Sequence, residues 1–444
     1  MTAILGIGVT GLSVVRFLAS RQVPFVVCDT REQPPLLAQF EQEFPGVDCF
    51  LGADAAQALQ GASELVVSPG LAPDEPLLVA ARQQGIEVIG DIELFARHVK
   101  APVAAITGSN GKSTVTALLG EMAKAAGLRV AVGGNLGTPA LELLAEDCEL
   151  YVLELSSFQL EITHNLKPAV STILNLSEDH LDRYGSMDSY LAAKQRIFHG
   201  AAHIVCNRDD NATRPGDSAA ELSSFGLQLS ERTLSDIHQC GIANRGGDLW
   251  LHGPDGDLMP VAELCIKGSH NWANALAAMA MGAVLGLTQE AMAAAMKTFP
   301  GLDHRCQTVR TLDGVSYIND SKATNVGATL AALEGLGNKE HPNIVWIAGG
   351  DGKGAEFHEL RSTVAATVKQ ALLIGVDGLR IGEAIAGATD IESHQSLEGA
   401  VARARQLAQP GDLVLLSPAC ASFDMFNNFE HRGDMFAKAA EALQ

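Results

Sequence analysis

The chain has 444 residues, about three times a ~150-residue domain, so we expect two or three domains. Hydrophobic residues make up 47% and charged residues 19%, a composition that supplies large cores and excludes a disordered chain. Lys and Arg number 31 against 52 Asp and Glu, for a formal net charge of −21. So acidic a chain is a poor candidate for nucleic-acid binding, which depends on basic surfaces.

Cysteine usage and hydropathy indicate a cytoplasmic protein. The eight cysteines form no C-x-x-C pair, which argues against a zinc ribbon or a disulfide scaffold. The N-terminal segment lacks the basic region of a signal peptide. The longest apolar stretch, around Ala273–Thr288, contains Asn274 and two glycines and is too short for a span of ~20 residues. We expect no membrane insertion.

Short β-branched runs alternate with Ala- and Leu-rich helical stretches, a pattern that predicts βαβ units and mostly parallel sheets. Polar residues or glycine follow most predicted strands, so ligand sites are expected at the carboxyl ends of the strands. The predicted strands are Ala3–Ile7, Phe25–Cys28, Leu65–Val67, Val103–Ile106, Tyr151–Leu155, Val170–Leu174, Ile204–Cys206, Ile344–Ala348, Ala371–Ile374 and Leu413–Leu416.

Composition divides the chain into three blocks, 1–92, 93–299 and 300–444. The last begins at the turn dipeptide Pro300–Gly301. Within the second block, Ala273–Met296 predicts a buried helix broken at Gly286 and Thr288. Asp209–Gly247 is the least regular stretch, and no function is assigned to it.

A glycine motif, Gly6-x-Gly8-x-x-Gly11, follows the first predicted strand and opens a helix, and Asp29 follows the second strand. This spacing is typical of a dinucleotide site, but it also suits a plain βα packing turn. The neighbouring Arg31 favours an anionic ligand. A further tight turn, Ser68–Gly70, is expected at the same edge of the sheet.

The segment Thr107–Thr114 (TGSNGKST) lies between a predicted strand and a helix expected to begin near Ser113. Backbone N–H groups of such a loop wrap phosphates, Lys112 neutralises their charge, and the Ser113 hydroxyl can reach Mg²⁺. Ile106 stands where the strict motif has its first glycine. Nucleotide triphosphate binding is the favoured interpretation, and a purely structural loop is the alternative.

Charged residues follow two later strands. Glu154 ends a hydrophobic strand, where a carboxylate is costly unless it is paired or binds a metal. Asn175–Asp182 gathers acids and His180 in eight residues, which suggests metal or phosphate chemistry or simply a helix cap. Composition alone makes Lys194 a solvated residue on a helix face.

Four polar or glycine-rich segments in the third block mostly follow strands, and they predict either one shared cleft or separate turns. They are Asp303–Arg305, Asn319–Asn325, Gly349–Lys353 and Ser417–Asp424.

The motifs together resemble the Mur ligases of bacterial cell-wall synthesis, in the family's order and over essentially the whole chain. Asp29–Arg31, Ser68–Gly70, Gly349–Lys353 and Ser417–Phe429 are similar to the member that adds D-glutamate to UDP-N-acetylmuramoyl-L-alanine. The family resemblance rests on Thr107–Thr114, Glu154–Ser157, Asn175–Asp182, His270–Asn271, Asp303–Arg305 and Asp320–Asn325.

The resemblance implies an α/β fold with a Rossmann-like N-terminal domain for the UDP-sugar, a P-loop ATPase-like central domain and a Rossmann-like C-terminal domain for the amino acid. It implies ATP and two Mg²⁺ ions. The substrate carboxylate attacks ATP to give an acyl phosphate, and the D-glutamate amine then displaces phosphate through a tetrahedral intermediate. We expect a monomer whose partners are these two substrates.

The resemblance also implies roles for particular residues. ATP contacts are expected from Gly108, Ser109, Asn110, Gly111, Lys112, Ser113, Thr114, Asn271, Arg305 and Asp320. One Mg²⁺ is expected at Ser113 and Glu154, and a second at His180 and a carbamylated Lys194; Lys112, His180 and Lys194 are the expected catalytic residues. UDP-sugar contacts are expected from Gly8, Thr10, Gly11, Asp29, Thr30, Arg31, Ser68, Pro69, Gly70, Asn135 and Ser156. The D-glutamate pocket is expected at Lys322, Thr324, Lys353, Ser422 and Phe429.

Three alternatives stay open at this point. A related ligase could act on folate or add alanine or a diamino acid, although folate ligases begin near the phosphate loop and no motif for a diamino acid is evident. The glycine motif alone permits an NAD-dependent oxidoreductase fused to a P-loop module. A motor or switch ATPase would hydrolyse ATP without D-glutamate.

Overall fold

A computed structural model describes residues 1–216, 218–229 and 238–444, apart from the side chains of Asp182 and His238. In these ranges the chain forms three sheets of five, nine and six strands, covered by helices. The α/β prediction is therefore confirmed. The three compositional blocks each contain one sheet, and their exact boundaries stay a prediction.

The first sheet is parallel throughout, with strand order β3-β2-β1-β4-β5. The order reverses at β1, so the loops after β1 and β4 face a common crevice where ligands of such sheets bind. Its elements are β1 (Thr2–Leu5), α1 (Val9–Ser20), β2 (Phe25–Asp29), α2 (Leu37–Glu43), β3 (Cys49–Leu51), β4 (Glu64–Val67), α3 (Pro76–Gln83), β5 (Glu87–Ile89) and the following α4 (Asp91–Ala96).

The second sheet has a parallel core and an antiparallel margin, in the order β14-β13-β12-β11-β10-β9-β6-β8-β7. Helices α5 and α9 pack on it through a continuous apolar cluster. Its elements are β6 (Val103–Thr107), α5 (Lys112–Ala125), β7 (Val130–Gly134), β8 (Leu150–Glu154), α6 (Ser157–Glu161), β9 (Val170–Ile173), α7 (Leu181–Tyr184), α8 (Met187–Gln195), β10 (His203–Asn207), β11 (Glu221–Gln228), β12 (His238–Arg245), β13 (Asp248–Gly253), β14 (Gly256–Pro260), α9 (Ser269–Val284) and α10 (Gln289–Thr298).

The third sheet has the order β15-β16-β20-β17-β18-β19 and is parallel except for the β15–β16 hairpin. Its inner strands, β16, β20, β17 and β18, are buried between two apolar clusters, one on each face. Its elements are β15 (Gln307–Leu312), β16 (Val315–Asn319), α11 (Val326–Leu336), β17 (Ile344–Gly349), α12 (Leu360–Thr367), β18 (Val368–Ile374), α13 (Gly378–Ala384), β19 (Asp390–Ser393), α14 (Leu397–Leu407), β20 (Leu413–Leu416) and α15 (Phe429–Glu441).

One sequence expectation needs correction. The stretch Asp209–Gly247 is not uniformly irregular, because β11 and β12 extend the central sheet there; residue 217 and residues 230–237 lie outside the described residues. Its strands were missed since Ser, Gln and Gly interrupt the apolar pattern. The helix after the phosphate loop begins at Lys112, in agreement with the expected start near Ser113.

The expected break in the Ala-rich segment is confirmed: it falls between α9 and α10, where Gly286 has φ +75°. No helix in the described ranges is both long enough and apolar enough to cross a bilayer.

Candidate active site

The phosphate loop connects β6 to α5 at the carboxyl edge of the central sheet. Gly111 caps α5 in the left-handed conformation, with φ +81°. The Lys112 ammonium folds back over the loop and donates to the carbonyl oxygens of Gly108 at 3.0 Å and Ser109 at 2.8 Å. Free N–H groups at the start of α5 together with this ammonium form an anion site.

The segment after β9 braces this loop. Asn110 donates its backbone N–H to the Asn175 side-chain oxygen at 2.8 Å, and the Asn175 amide donates back to the Asn110 carbonyl at 3.0 Å. Ser109 and Ser177 are joined in the same way, by two hydrogen bonds of 3.0 Å. Two residues of the Asn175–Asp182 motif thus fix the loop's backbone. The motif does not cap α7, whose first turn has no side-chain cap.

Glu154 lies buried at the end of β8, 3% exposed. Its Oε1 accepts from the Asn135 amide at 2.7 Å, while Oε2 is buried without a hydrogen-bond partner among the described residues. Burial raises the pKa of this carboxyl, but the Lys112 ammonium, the Asn135 amide and Arg305 outweigh burial and hold the pKa below its usual value. An ionised oxygen left without a partner beside a phosphate loop suits Mg²⁺.

Lys194 is not the solvated residue that composition predicted. It is 1% exposed on α8, where its ammonium donates to the Gly108 carbonyl at 2.8 Å and lies 4.6 Å from the Tyr190 ring centroid. Burial, reinforced by the nearby Lys112 charge, holds its pKa well below the usual value. Two lysines from different helices therefore converge on one carbonyl oxygen.

His180 lies next to these groups with a left-handed backbone, φ +54°. Its ring contacts Phe158 edge-on at a centroid distance of 4.8 Å, and its Nε2 is 3.7 Å from the Asp179 carboxylate. The described residues contain no ready-made cluster of three or more His, Cys, Asp or Glu side chains for a metal. The predicted second Mg²⁺ at His180 and Lys194 thus has no support in the geometry of the unmodified lysine.

A cavity of about 170 Å³ lies between the phosphate loop, α9 and the loops flanking β15 and β16. Asn271 lines it, donating to the Lys267 carbonyl at 2.8 Å. Asp320 also lines it and accepts from Ser417 at 2.8 Å and from the Cys306 N–H at 3.1 Å. Burial raises the pKa of Asp320 to about 6. Thr114 of the phosphate loop completes the wall.

Arg305 joins the cavity to the phosphate loop. Its guanidinium donates to the Ser113 hydroxyl at 2.8 Å, across 192 residues of sequence. Both neighbours, His304 and Cys306, have positive φ, +61° and +44°. Such backbone conformations cost about 1–3 kcal/mol each and persist at functional sites, which indicates that the fold spends stability to aim Arg305.

The glycine motif of the first sheet forms a tight strand–helix turn. A Cβ on Gly11 would lie 1.7 Å from the Gly6 carbonyl oxygen, so close packing requires glycine there. At Gly8 a Cβ would meet nothing within 4 Å. The packing-turn interpretation therefore explains Gly11, and the open space above Gly8 and the half-buried Thr10 is available to a ligand.

Asp29 is saturated by the chain itself. It accepts from the Ile7 N–H at 2.7 Å and from the Arg31 side chain at 2.8 and 2.7 Å. Burial raises the pKa of Asp29. The hydrogen bonds from Arg31 and from the backbone N–H groups outweigh burial and hold this pKa below its usual value. An NAD site needs this acid free for a ribose hydroxyl, so the saturation argues against the oxidoreductase alternative. Thr30 lies half-buried between the two residues.

Five further residues expected near the UDP-sugar lie at the carboxyl edges of the sheets. Ser68 follows β4, its Oγ buried without a partner in the described chain, and the turn continues through half-buried Pro69 to exposed Gly70. Asn135 is engaged by Glu154, as described above. Ser156 caps α6 in a reciprocal box with Gln159. Direct substrate contact from Asn135 and Ser156 stays a prediction.

The five residues expected around the amino acid fall into two neighbouring groups. The Lys322 ammonium lies 3.6 Å from the Phe429 ring centroid, and the Thr324 N–H donates to the Lys322 carbonyl at 2.8 Å. Burial lowers the pKa of Lys322 to about 8. Exposed Lys353 and buried Ser422 lie on a second pair of loops, which are joined by a bridge between Asp351 and Ala421.

Three family profiles match consecutive parts of the chain: a Mur ligase MurD-like N-terminal domain at 1–90, a Mur ligase middle domain at 106–282 and a Mur ligase glutamate ligase domain at 304–420. The chain is 55% identical to the UDP-N-acetylmuramoylalanine--D-glutamate ligase of Pseudomonas fluorescens, covering 99% of this chain and 97% of that protein. It is 48% identical to the enzyme of the same name from Legionella pneumophila, with 99% and 98% coverage. The chain belongs to the Mur ligase family.

Solved Mur ligase structures share this fold. The chain matches MurC from Thermotoga maritima with a TM-score of 0.62 at 18% identity, covering 99% of both chains. It matches MurF from Acinetobacter baumannii with a TM-score of 0.61 at 20% identity, covering 99% of this chain and 90% of that one. The three-domain architecture expected from sequence is thereby confirmed.

Mur ligases use ATP with Mg²⁺, and the geometry of this Mur ligase fits both. The unpartnered Glu154 Oε2 and the Ser113 hydroxyl would hold the ion. When bound, Mg²⁺ offsets the negative charge of the phosphates. Lys112 and Arg305 would neutralise the phosphate charge that Mg²⁺ leaves uncompensated.

Some residues of the candidate site in this Mur ligase give no individual signal in the sequence. Asn175 and Ser177 lay within a recognised motif, and only the fold reveals that they brace the loop. Arg432 gave no signal at all, since it lies on an ordinary amphipathic helix. It is 1% exposed and donates to Ser321 and to the carbonyls of Cys420 and Ala421, which ties together the two loop groups that are predicted to form the amino-acid pocket.

Proposed function

We propose that this Mur ligase adds D-glutamate to UDP-N-acetylmuramoyl-L-alanine at the expense of ATP, as a step in peptidoglycan precursor synthesis. The observation that carries the proposal is the full-length identity of 48–55% to relatives named for this reaction. The shared cavity supports it, because phosphate-binding and amino-acid-binding loops line the same space.

The chemistry requires activation of a poor acyl donor. A carboxylate oxygen leaves badly, and transfer of the γ-phosphoryl group gives an acyl phosphate with a good leaving group. The D-glutamate amine then attacks the carbonyl carbon, and the tetrahedral intermediate expels phosphate. The protein positions the reactants and neutralises charge: Lys112 and Arg305 balance the phosphates, and Asn271 and Asp320 flank the base and ribose.

We propose a carbamate on Lys194, and through it a second Mg²⁺ with His180. A lysine ammonium repels Mg²⁺, whereas a carbamate supplies the oxygen donors that Mg²⁺ prefers. The buried Lys194 amine has a strongly lowered pKa, so a larger share of it is neutral and able to react with CO₂. The amine nitrogen bonds to the CO₂ carbon and releases one proton.

We propose that the UDP-sugar lies at the edge of the first sheet, on domain 1–92. It occupies the open space at Gly8, and the exposed face of Arg31 contacts its anionic groups. D-Glutamate lies on domain 300–444 and uses Lys322, Lys353, Thr324 and Ser422 for its two carboxylates, with Phe429 as an apolar wall. ATP lies on domain 93–299 between them.

We place the enzyme in the cytoplasm and expect it to act as a monomer. All eight cysteines are free thiols in the structure, as in a reducing compartment.

Phosphate release with ATP and the UDP-sugar, with D- or L-glutamate added in turn, tests the function. Inversion of the stereocentre displaces the amine, and ~1 Å of misplacement costs about 100-fold. We expect product with D-glutamate and at least a 100-fold lower rate with L-glutamate. Equal rates would reject D-glutamate as the acceptor, and phosphate release independent of any amino acid would favour a switch ATPase.

A further inference from the structure

The amino end of α11 lies against the phosphate loop. Asn325 caps this helix, its side-chain oxygen accepting from the Ala328 N–H at 2.8 Å. The amide nitrogen of the same side chain points the other way, 3.4 Å from both the Asn110 Oδ1 and the Asp179 Oδ2. One side chain of the third sheet thus reaches two loops of the second.

Gly327, in the first turn of α11, makes this approach possible. A Cβ at this position would lie 2.7 Å from the Ser177 Oγ and 2.8 Å from the Ser177 Cβ. The φ of Gly327 is not in the left-handed region, so its backbone suits any residue. Glycine is therefore required by the surface of the neighbouring loop and not by the helix itself.

Both ends of this contact belong to functional loops. On one side, Asn110 is part of the phosphate loop, and its backbone is fixed by Asn175. On the other side, Asn325 directly follows the loop that carries Asp320, Lys322 and Thr324. A displacement of α11 is passed on to both substrate-binding loops at once.

We propose that Asn325 and Gly327 are positioning residues that hold the phosphate loop in register with the amino-acid loop. The inference deepens the proposed function and rests on it for the identity of the amino acid. On this proposal neither residue contacts substrate directly. Each acts through Asn110 and Ser177, so its loss lowers the use of ATP more than it lowers the stability of the fold.

The first experiment separates the cap from the bridge. Ser is as good a helix cap as Asn, but its side chain is too short to reach Asn110. Asn325→Ser therefore keeps the cap of α11 and removes the contact with Asn110. We expect kcat/KM for ATP to fall about tenfold, the scale of lost hydrogen bonds to a positioned group. Ser396→Ala is the control, because it removes the side-chain cap of α14, a helix that packs on the third sheet. This variant should lower Tm and leave kcat/KM for ATP within twofold of wild type.

The second experiment uses the steric requirement. Gly327→Ala favours the helix by about 1 kcal/mol, but its Cβ pushes α11 away from Ser177, which costs stability. We therefore expect at most a small drop in Tm together with at least a tenfold loss of kcat/KM for ATP. Gly378→Ala is the matched control, because its Cβ would meet its nearest neighbour, Leu373, at an ordinary 3.5 Å. A double variant of Asn325→Ser with Asn110→Ala should lose no more than the worse single variant.

Wild-type kcat/KM in both Asn325→Ser and Gly327→Ala would overturn the proposal, as would fully additive losses in the double variant. Calorimetric titration with ATP alone keeps this test separate from the proposed function. If the wild-type enzyme makes no product with D-glutamate, the function fails. A threefold or greater rise in the Kd for ATP in the two variants would still support the positioning role, and unchanged values would reject it.

Discussion

Removal of the Asn175 side chain should disable the phosphate loop while the fold survives. Asn175→Ala deletes two hydrogen bonds to the peptide of Asn110, of 2.8 and 3.0 Å. It leaves the Asn110 N–H and carbonyl without these partners. Hydrogen bonds contribute about 0.5–1.5 kcal/mol each, and an unsatisfied buried donor costs about 1–3 kcal/mol. A loss of about 2 kcal/mol in transition-state stabilisation follows, which corresponds to about 30-fold in rate.

The assay is steady-state phosphate release with ATP varied at saturating UDP-sugar and D-glutamate. We expect the loss in kcat/KM for ATP, with KM for the UDP-sugar unchanged, because the proposed UDP-sugar site is on the first sheet. Asn175→Asp keeps the oxygen that accepts from Asn110 but places a negative charge beside the phosphates. At low salt the kcat/KM of Asn175→Asp for ATP should be lower than that of Asn175→Ala. The difference between the two variants should shrink as added salt screens the repulsion.

The matched control is Asn244→Ala, which deletes a similar side-chain bond of 2.9 Å to the Gly247 N–H in an exposed hairpin turn. This variant should retain wild-type kinetics. A kcat/KM for ATP within twofold of wild type in Asn175→Ala would refute the bracing role. So would a rise in KM for the UDP-sugar as large as the rise for ATP.

Lys112→Ala should abolish ATP-dependent phosphate release and leave UDP-sugar affinity in calorimetry unchanged; lost UDP-sugar binding would contradict the separation of the two sites. Lys194→Ala should lose most activity and regain part of it with acetate or formate at matched ionic strength, whereas Lys194→Arg should not recover; a wild-type rate for Lys194→Ala would reject the carbamate. Burial raises the pKa of Asp91 from 3.8 to about 6, so the folded state binds an extra proton and stability falls as pH rises from about 4 to 6, by up to about 3 kcal/mol. Asp91→Asn should remove this dependence, so its Tm relative to wild type should climb over that range, and parallel Tm curves would refute it.

Ten of the twenty strands in the described residues followed from sequence, because buried parallel strands carry strong local signals. Glycine, serine or aspartate after an apolar run marks a carboxyl edge, and the loops holding Lys112 and Glu154 were placed by that rule. The signal failed for the other ten strands, which include β11 and β12. These two strands lie toward the margin of the sheet, where half-exposed positions admit polar residues and alternation is lost.

What sequence could not supply is proximity between elements. Lys194 has the local pattern of a surface lysine, and only the packing of α8 against the phosphate loop buries it. The same holds for Arg305, whose bond to Ser113 spans 192 residues. No local pattern encodes such a contact. The family resemblance implied that Arg305 contacts ATP, but it did not imply the hydrogen bond from Arg305 to Ser113.

The cations of the site explain how an acidic protein binds anionic substrates. Lys112, Lys194 and Arg305 come from three separate elements, and burial lowers the pKa of each. Lys112 lowers the pKa of Lys194 further, and Arg305 lowers that of Lys112, so the cluster repels itself. A preorganised cluster of this kind costs stability in the empty enzyme and is relieved by a bound triphosphate. In a chain with a net charge of −21, this concentration of positive charge at one sheet edge gives the nucleotide a favourable place to bind.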